Sequence, residues 1–238
     1  MDLPSLMSLL WDKLGVDTAI ICSTISWLLW RYRNDIVHNN PTMDLDRIAE
    51  NACVGTYEFQ QVKKKLMIGD AHRKNSPTRW SVPLPGRLKL NVDAAIFANG
   101  SGTGIGAIIR DERGITVGAI SKRLPNPYSP LVAECIAIRE GLSFAFNCGL
   151  QTIYVESDCL MAIQAINGND PSVIDSIISD IRDLFRKVSG GSCSHIPRCC
   201  NVAAHTLAKE SITMNNDVSW FNQIPPCIEQ IVTADAML

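Results

Sequence analysis

Residues 87–122, RLKLNVDAAIFANGSGTGIGAIIRDERGITVGAISK, decide how this chain folds. Over residues 88–93, apolar side chains alternate with polar ones, which is the period of a half-buried strand. A glycine-rich turn follows, and residues 105–110 and 115–122 then form two apolar runs around the tetrapeptide DERG. Because Gly114 can adopt the backbone angles of a tight turn, these runs predict a hairpin. The stretch therefore predicts three consecutive antiparallel strands.

The residues after this stretch change between helical and strand periods. Residues 130–147 repeat apolar side chains at helical spacing and stop before Gly149, a typical helix end. Residues 172–188 carry the clearest apolar stripe, opposed by charged side chains. The other predicted elements are a strand at 153–155 followed by a helix, a strand at 192–196 and a helix at 201–213. This order indicates an α/β domain with a mixed sheet and helices packed on it.

The residues upstream of the α/β domain favour helices. Apolar side chains recur at helical spacing over residues 3–38, and a second helix is predicted from Leu45 to about Met67. Several prolines and many polar residues then indicate a linker. We therefore divide the chain into a helical N-terminal segment (1–69), a basic linker (70–86), the α/β domain (87–213) and a C-terminal tail (214–238).

The composition argues against a secreted or membrane-spanning protein. The most apolar run, residues 18–30, has 13 residues, which is too short to cross a bilayer. The N-terminus lacks the basic start of a secretory signal. Nine cysteines without a CxxC pair indicate reduced thiols. The cluster of Cys193, His195, Cys199, Cys200 and His205 fits no zinc pattern. We therefore expect an intracellular protein, nuclear or cytoplasmic, with no membrane association.

The charge of the chain is unevenly distributed. The total is -2, which does not mark the whole molecule as a nucleic-acid binder. The segment from Lys63 to Lys89, however, contains eight Lys and Arg residues and only one acid, Asp70. Such a segment can attract a polyanion or aid nuclear import, and it can equally be a solvated linker. The sequence leaves these alternatives open.

Three carboxylates occupy positions where an acid costs free energy unless it is paired or binds a cation. Asp93 ends the first strand, Glu134 lies beside the apolar stripe of the helix at 130–147, and Asp158 follows the fourth strand. If the first and fourth strands are neighbours, the three converge, and their hard oxygens favour Mg²⁺ or Mn²⁺. Each has a simpler alternative: a turn former for Asp93, a helix N-cap for Asp158, and an ion pair with Arg139 for Glu134.

Five segments resemble the ribonuclease H type 1 family, in the plant branch related to reverse transcriptases of non-LTR retroelements. They read KLNVDAA, GIGAIIRDERG, AECIAIREGL, VESDC and HIPRCCNVAAHTLAKES, and they occur in the order of that family. The resemblance implies a mixed five-stranded sheet flanked by helices, with the N-terminal helices as an appendage. It also implies a Mg²⁺-dependent endonuclease that binds RNA–DNA hybrids and hydrolyses their RNA strand. Asp93, Glu134 and Asp158 match three catalytic, metal-binding acids of the family.

The sequence departs from the family at two positions. His205 occupies the position of the fourth acid, and imidazole is a neutral, softer ligand that suits Mn²⁺ better than Mg²⁺. Ala94 stands where glycine is common, and its methyl group would obstruct the close approach of a nucleic-acid backbone. We therefore expect weakened catalysis. The alternative is a non-catalytic module of the same fold that binds nucleic acid or protein.

Three further residues are candidates for the site. His195 matches a family histidine that helps proton transfer or product release, and Arg198 and Asn201 are expected to contact the nucleic-acid backbone. The alternatives are an ordinary strand-end histidine, a surface arginine and a helix N-cap.

Overall fold

The structure is a computed structural model. It describes residues 20–34, 36–37, 78–97, 101–168, 174–189, 191–214 and 216–236. The chain divides into two compact units, Met1–Ala71 and His72–Leu238. The predicted helix from Leu45 to Met67 and most of the predicted linker lie outside the described residues.

The first unit contains a helix at residues 20–34 and 36–37, within the region predicted to be helical. Leu28 of this helix is buried, and Ile25 and Tyr32 pack against it. In the described ranges of the whole chain, every helix is too short or too polar to cross a membrane.

The second unit is built on one mixed sheet of six strands. Its strands are β1 (Leu88–Ile96), β2 (Thr103–Arg110), β3 (Thr116–Leu124), β4 (Ile153–Ser157), β5 (Ser192–His195) and β6 (Val218–Phe221). Across the sheet the order is β5-β4-β1-β2-β3-β6. The pairs β1–β2, β2–β3 and β3–β6 are antiparallel, whereas β4 runs parallel to both β1 and β5. The mixed sheet predicted from the sequence is confirmed, with β6 as an additional strand beside β3.

Helices pack on both faces of this sheet. They are α1 (Pro130–Asn147), α2 (Leu160–Asn167), α3 (Asp175–Lys187), α4 (Val202–Glu210) and α5 (Glu229–Ala236), with 3₁₀ turns at Arg198–Cys200 and Pro226–Ile228. α1 lies so close to β1 that a Cβ added to Gly141 would be 2.8 Å from a methyl group of Val92. Asp93, the next residue of β1, points to the other face, where its partner Gly106 leaves room for the backbone of α4. The α/β class with flanking helices is therefore confirmed.

The residues after 213, which the sequence analysis assigned to a tail, contain β6 and α5. β6 pairs with β3, with Trp220 opposite Ala119. Ile228 and Val232 are buried in one apolar cluster with Leu207 of α4. This part of the chain thus extends the sheet and packs against α4.

A buried polar cluster joins the residues before β1 and the end of α5 to the sheet. Arg110 of β2 is 1% exposed, and its guanidinium donates to Asp235 Oδ2 at 2.7 Å and to Asn91 Oδ1 at 3.1 Å. The ring centroid of Trp80 lies 3.4 Å from the Arg110 Cζ, and its indole N–H donates to Asn91 Oδ1 at 2.9 Å. Asn91 in turn donates to Glu156 at 2.9 Å. Because the buried charge of Arg110 needs an acidic partner, the ion pair with Asp235 is expected to stabilise the packing of α5 against the sheet.

We expect Asp235→Asn to lower the free energy of unfolding by about 2 kcal/mol, because the buried guanidinium of Arg110 loses its charged acceptor. Urea unfolding of the full chain measures this change. The matched control is Asp183→Asn, which removes an exposed pair with Arg186 on α3 and should change stability by less than about 0.5 kcal/mol. Equal losses in the two variants would contradict the stabilising role of Asp235.

Candidate metal-binding active site

The strand β1 carries the first acidic side chain of the candidate site. Asp93 lies towards the carboxyl end of β1, opposite Gly106 of β2, and is 4% exposed. β1 is hydrogen-bonded to β2 on one side and to β4 on the other. The side-chain amide of Asn201 also donates to the Val92 carbonyl at 2.8 Å. The backbone that presents Asp93 is therefore held from three directions.

Two neighbouring elements bring two further carboxylates to Asp93. Because β4 runs parallel to β1, its carboxyl end lies at the same edge of the sheet, and Asp158 directly follows that end. Glu134 comes from the start of α1. In the described part of the chain, one carboxylate oxygen from each of Asp93, Glu134 and Asp158 lies within 4.8 Å of the other two. The structure therefore brings these three predicted residues together.

The carboxylates line a pocket of about 240 Å³ together with Ala94, Cys159 and Arg198. Ser157 supports this arrangement from β4, since its hydroxyl donates to Glu134 Oε2 at 3.5 Å and accepts from the Cys159 N–H at 3.1 Å. The backbone N–H of Ala94 also donates to Glu134. Ser157 was not among the site residues predicted from the sequence. Its position between a strand and Asp158 was the one signal of a role in the site.

Burial and mutual repulsion raise the pKa of two of the carboxylates. Burial raises the pKa of Asp93 from 3.8 to about 6, and nearby Asp158 adds to the increase, whereas the hydrogen bond with His205 opposes it. Burial, followed by repulsion from Asp93 and Asp158, raises the pKa of Glu134 well above its ordinary value. The site thus disfavours its own negative charge, and a bound cation would remove that cost.

The donor chemistry of the site fits a hard divalent cation. Three carboxylates supply oxygen ligands within a few ångströms of one another, and such ligands suit Mg²⁺ and Mn²⁺. Burial, with repulsion between the carboxylates, raises the pKa of Asp93 and that of Glu134, so both acids are costly to ionise without a cation. These residues are therefore the candidates for holding a cation.

His205 contacts Asp93 from α4. Its Nδ1 lies 2.6 Å from Asp93 Oδ2, and its Nε2 lies 3.3 Å from a terminal nitrogen of Arg198. The sequence predicted His205 as a weakened fourth metal ligand. In the structure both ring nitrogens are engaged by protein groups, so the imidazole acts as a link between Arg198 and Asp93.

Asn201 lies inside the domain and is 1% exposed. Its side-chain amide donates to the Val92 carbonyl and, at 3.0 Å, to Asp158 Oδ1. The sequence predicted that Asn201 contacts nucleic acid or caps the following helix. The burial of Asn201 favours instead a positioning role, in which it sets the distance between β1 and Asp158.

The remaining predicted residues lie at or near the pocket. Ala94 is half-buried and Arg198 is exposed, and both line the pocket with the three carboxylates. His195 is exposed at the end of β5, where it is paired in register with Ser157 of β4. All three are therefore on the same edge of the sheet as the acids.

We expect a divalent cation to stabilise the protein more at about pH 8 than at about pH 5, because the cation must compete with protons for the carboxylates. Asp93, whose pKa is about 6, carries a proton at the lower pH. Without a cation, the stability of the protein is expected to change with pH in the opposite direction. The folded pKa exceeds the unfolded one, so the unfolded state binds fewer protons between pH 3.8 and about 6, and stability falls as the pH rises through that range. Melting temperatures with and without Mn²⁺ test both trends, and a cation effect independent of pH would contradict the first.

Comparison with known proteins identifies the family. The sequence model described as reverse transcriptase-like matches residues 91–211, which is 121 of the 238 residues. A protein of Arabidopsis thaliana named "putative ribonuclease H protein" is 21% identical, over 98% of this chain and 39% of its own length. The crystal structure of ribonuclease H1 from Halobacterium salinarum NRC-1 is 21% identical, with a TM-score of 0.50, over 54% of this chain and 98% of that one.

The match to the family covers half of the chain and includes all three acids of the pocket. The likeness to the Halobacterium salinarum structure shows that the fold is shared. We conclude that the chain belongs to the reverse transcriptase-like family and that its second unit has the ribonuclease H fold.

Proposed function

We propose that this protein is an endonuclease that hydrolyses the RNA strand of RNA–DNA hybrids with a divalent cation. The observation that carries the proposal is the convergence of Asp93, Glu134 and Asp158 in one pocket. They come from three separate elements, so a shared local role such as helix capping does not account for their meeting. Crowded carboxylates of raised pKa suit cation-assisted cleavage of a phosphodiester.

The relatives support the substrate class. The Arabidopsis thaliana protein has ribonuclease H in its name, and this chain spans 39% of its length. The resemblance of the five sequence segments to ribonuclease H type 1 points to the same hybrid substrate. We extend that activity to this chain because the acids on which it depends are present and close together.

Five of the residues that line the pocket have a proposed task. Asp93, Glu134 and Asp158 would hold Mg²⁺, or Mn²⁺ in its place. When bound, the cation helps to generate the attacking group from water and stabilises the leaving oxygen. Arg198, exposed beside the pocket, is placed to contact a phosphate of the substrate. Ala94 would border the path of the nucleic-acid backbone.

Two further residues complete the proposed site. Asn201 orients Asp158 through the hydrogen bond at 3.0 Å. His195, exposed at the end of β5, is the proposed group for proton transfer or product release.

The activity is expected to be weak because His205 replaces a fourth acid. As a ligand, the imidazole of His205 would favour Mn²⁺ over Mg²⁺. That preference does not apply while both ring nitrogens are bonded to Asp93 and Arg198. The loss of one negative charge remains, and it lowers the affinity of the site for any divalent cation.

Incubation of the full chain with a labelled RNA–DNA hybrid, in Mg²⁺ and separately in Mn²⁺, tests the proposal. We expect slow cleavage of the RNA strand, cessation on chelation of the cation, and no cleavage of duplex RNA of the same sequence. His205→Asp should increase the rate in Mg²⁺. Full activity in Mg²⁺ that this substitution leaves unchanged would refute the weakening assigned to His205.

A non-catalytic module that binds nucleic acid is the second candidate. The contact of His205 with Asp93 favours it, because it occupies a carboxylate oxygen that a nuclease would use. Binding of the hybrid without cleavage in either cation would support this module. Neither binding nor cleavage would contradict both candidates.

A further inference from the structure

The hydrogen bonds around His205 determine which of its nitrogens carries the proton. A guanidinium can only donate, so the Nε2 of His205, 3.3 Å from Arg198, has to accept. In the neutral ring the proton then resides on Nδ1, which donates to Asp93 Oδ2 at 2.6 Å. The three residues form a directed chain, in which Arg198 donates to His205 and His205 donates to Asp93.

This chain of hydrogen bonds restricts what Asp93 and His205 can offer a cation. The one lone pair of the neutral imidazole is used by Arg198, so His205 has none left for a metal. One oxygen of Asp93 receives the His205 proton. Asp93 therefore has one oxygen free of this bond, and the oxygen that accepts from His205 is a poorer ligand for a second ion while the contact persists.

The same series of hydrogen bonds, from Arg198 through His205 to Asp93, places a positive charge at the pocket. Arg198 lines the pocket with the three carboxylates, and its hydrogen bond to His205 directs its guanidinium towards the Asp93 side. The guanidinium of arginine is positively charged and only donates hydrogen bonds. A second divalent cation on that side would meet repulsion from this guanidinium and would lack an acidic ligand at position 205.

We propose that this site binds one divalent cation per protein molecule. Next to the Asp93 oxygen that contacts His205, the guanidinium of Arg198 supplies the positive charge in place of a second ion. This inference rests on the proposed function only in taking the three carboxylates as cation ligands. It assigns Arg198 and His205 together as a built-in substitute for a second ion, and Arg198 as a positioning residue for the charge of a bound phosphate.

Counting of bound Mn²⁺ tests the inference without any activity measurement. The native full chain and its Asp93→Asn variant are each titrated with Mn²⁺, and electron paramagnetic resonance measures the free ion. The difference in bound Mn²⁺ between the two gives the number of sites that depend on Asp93. We expect one such site in the native chain and two in His205→Asp, which frees Asp93 and restores an acid. Two sites in the native chain would overturn the inference. A melting curve establishes that each variant is folded.

A second variant tests the charge of Arg198 even if His205→Asp does not fold. Arg198→Ala, at an exposed position, should tighten Mn²⁺ binding about fivefold, since a nearby positive charge is removed. The matched control is Lys209→Ala, which removes an exposed positive charge near the end of α4 and should leave the affinity unchanged. Equal effects of the two substitutions would contradict the assigned role of Arg198.

The outcomes separate this inference from the proposed function. One bound ion without cleavage of any hybrid would support the inference and contradict the nuclease. Two bound ions with cleavage would do the reverse. No Mn²⁺ site dependent on Asp93 would contradict both, because the carboxylates would then not be cation ligands.

Discussion

Asp93→Asn is expected to reduce hybrid cleavage about a thousandfold or more while leaving the protein at least as stable as the native chain. The rate should fall because one of the three carboxylates that would hold the cation is lost, and a bound cation supplies several kcal/mol of charge stabilisation. Each loss of about 1.4 kcal/mol corresponds to a tenfold change in rate. The asparagine has nearly the same shape, so the pocket itself is retained.

The stability should not fall, because Asp93 is costly to ionise where it lies. Its pKa of about 6, against an ordinary value of 3.8, corresponds to an ionisation cost of about 3 kcal/mol above pH 6. Asparagine removes this cost but forms a weaker hydrogen bond with His205, so we expect a net gain of about 1 kcal/mol. A variant that is less stable than the native chain would show that the carboxylate is structural.

Gel analysis of the cleaved hybrid and urea unfolding, both at about pH 8, give the two measurements on one preparation. The matched control is Asp180→Asn, an acid on α3 whose side chain is 60% exposed. It should leave both quantities unchanged. Native cleavage by Asp93→Asn would remove Asp93 from the proposed catalytic centre.

Gly106→Ala is expected to lower the free energy of unfolding by about 3 kcal/mol and to disturb the site. A Cβ at position 106 would lie 2.2 Å from the carbonyl oxygen of Ala204 and 2.3 Å from the nitrogen of Ala208. Both atoms belong to the backbone of α4, so relief of the clash requires the helix to move. Since His205 follows Ala204 in that helix, its contact with Asp93 should lengthen.

The matched control for this substitution is Gly118→Ala on β3. There an added Cβ would lie 2.9 Å from a ring carbon of Phe144, which is a side chain and can rotate away. We expect a loss of about 1 kcal/mol, since only a side chain has to adjust. Urea unfolding compares the two variants. A loss at Gly106 no larger than that at Gly118 would mean that α4 is not tightly fitted to β2.

The elements that depend on local patterns could be predicted from the sequence. The hairpin predicted around DERG corresponds to β2 and β3, and Gly114 at its turn has a φ of 78°. The helix predicted at 130–147 coincides with α1. In each case the apolar period and the turn residue lie within one short stretch, so distant contacts were not needed to recognise them.

The elements that depend on distant contacts could not be predicted. β6 has four residues, Val218–Phe221, which are too few to show a period, and it is defined by its pairing with β3. Lys89 was counted in the basic segment. It is 8% exposed and lies 2.8 Å from Glu156, so its charge is neutralised inside the domain. A sequence gives the number of charges in a segment but not which of them reach the solvent.

The candidate site also contains residues that a local pattern could predict and residues whose roles depend on distant contacts. Asp93, Glu134 and Asp158 could be singled out because an acid beside an apolar pattern is costly without a partner. The contact of His205 with both Asp93 and Arg198 depends on how close α4 approaches β2, which no local pattern reveals. The supporting role of Ser157 likewise appears only when β4 lies beside α1.

The partners of Arg110 have a practical consequence for the isolation of a shorter fragment with the ribonuclease H fold. The region that matches the family, residues 91–211, contains Arg110 but neither Trp80 nor Asp235. A fragment trimmed to those limits would retain a guanidinium in its interior without its acid and without its stacked indole. Such a fragment would tend to unfold or aggregate for reasons unrelated to catalysis, and its inactivity would say nothing about the acidic pocket.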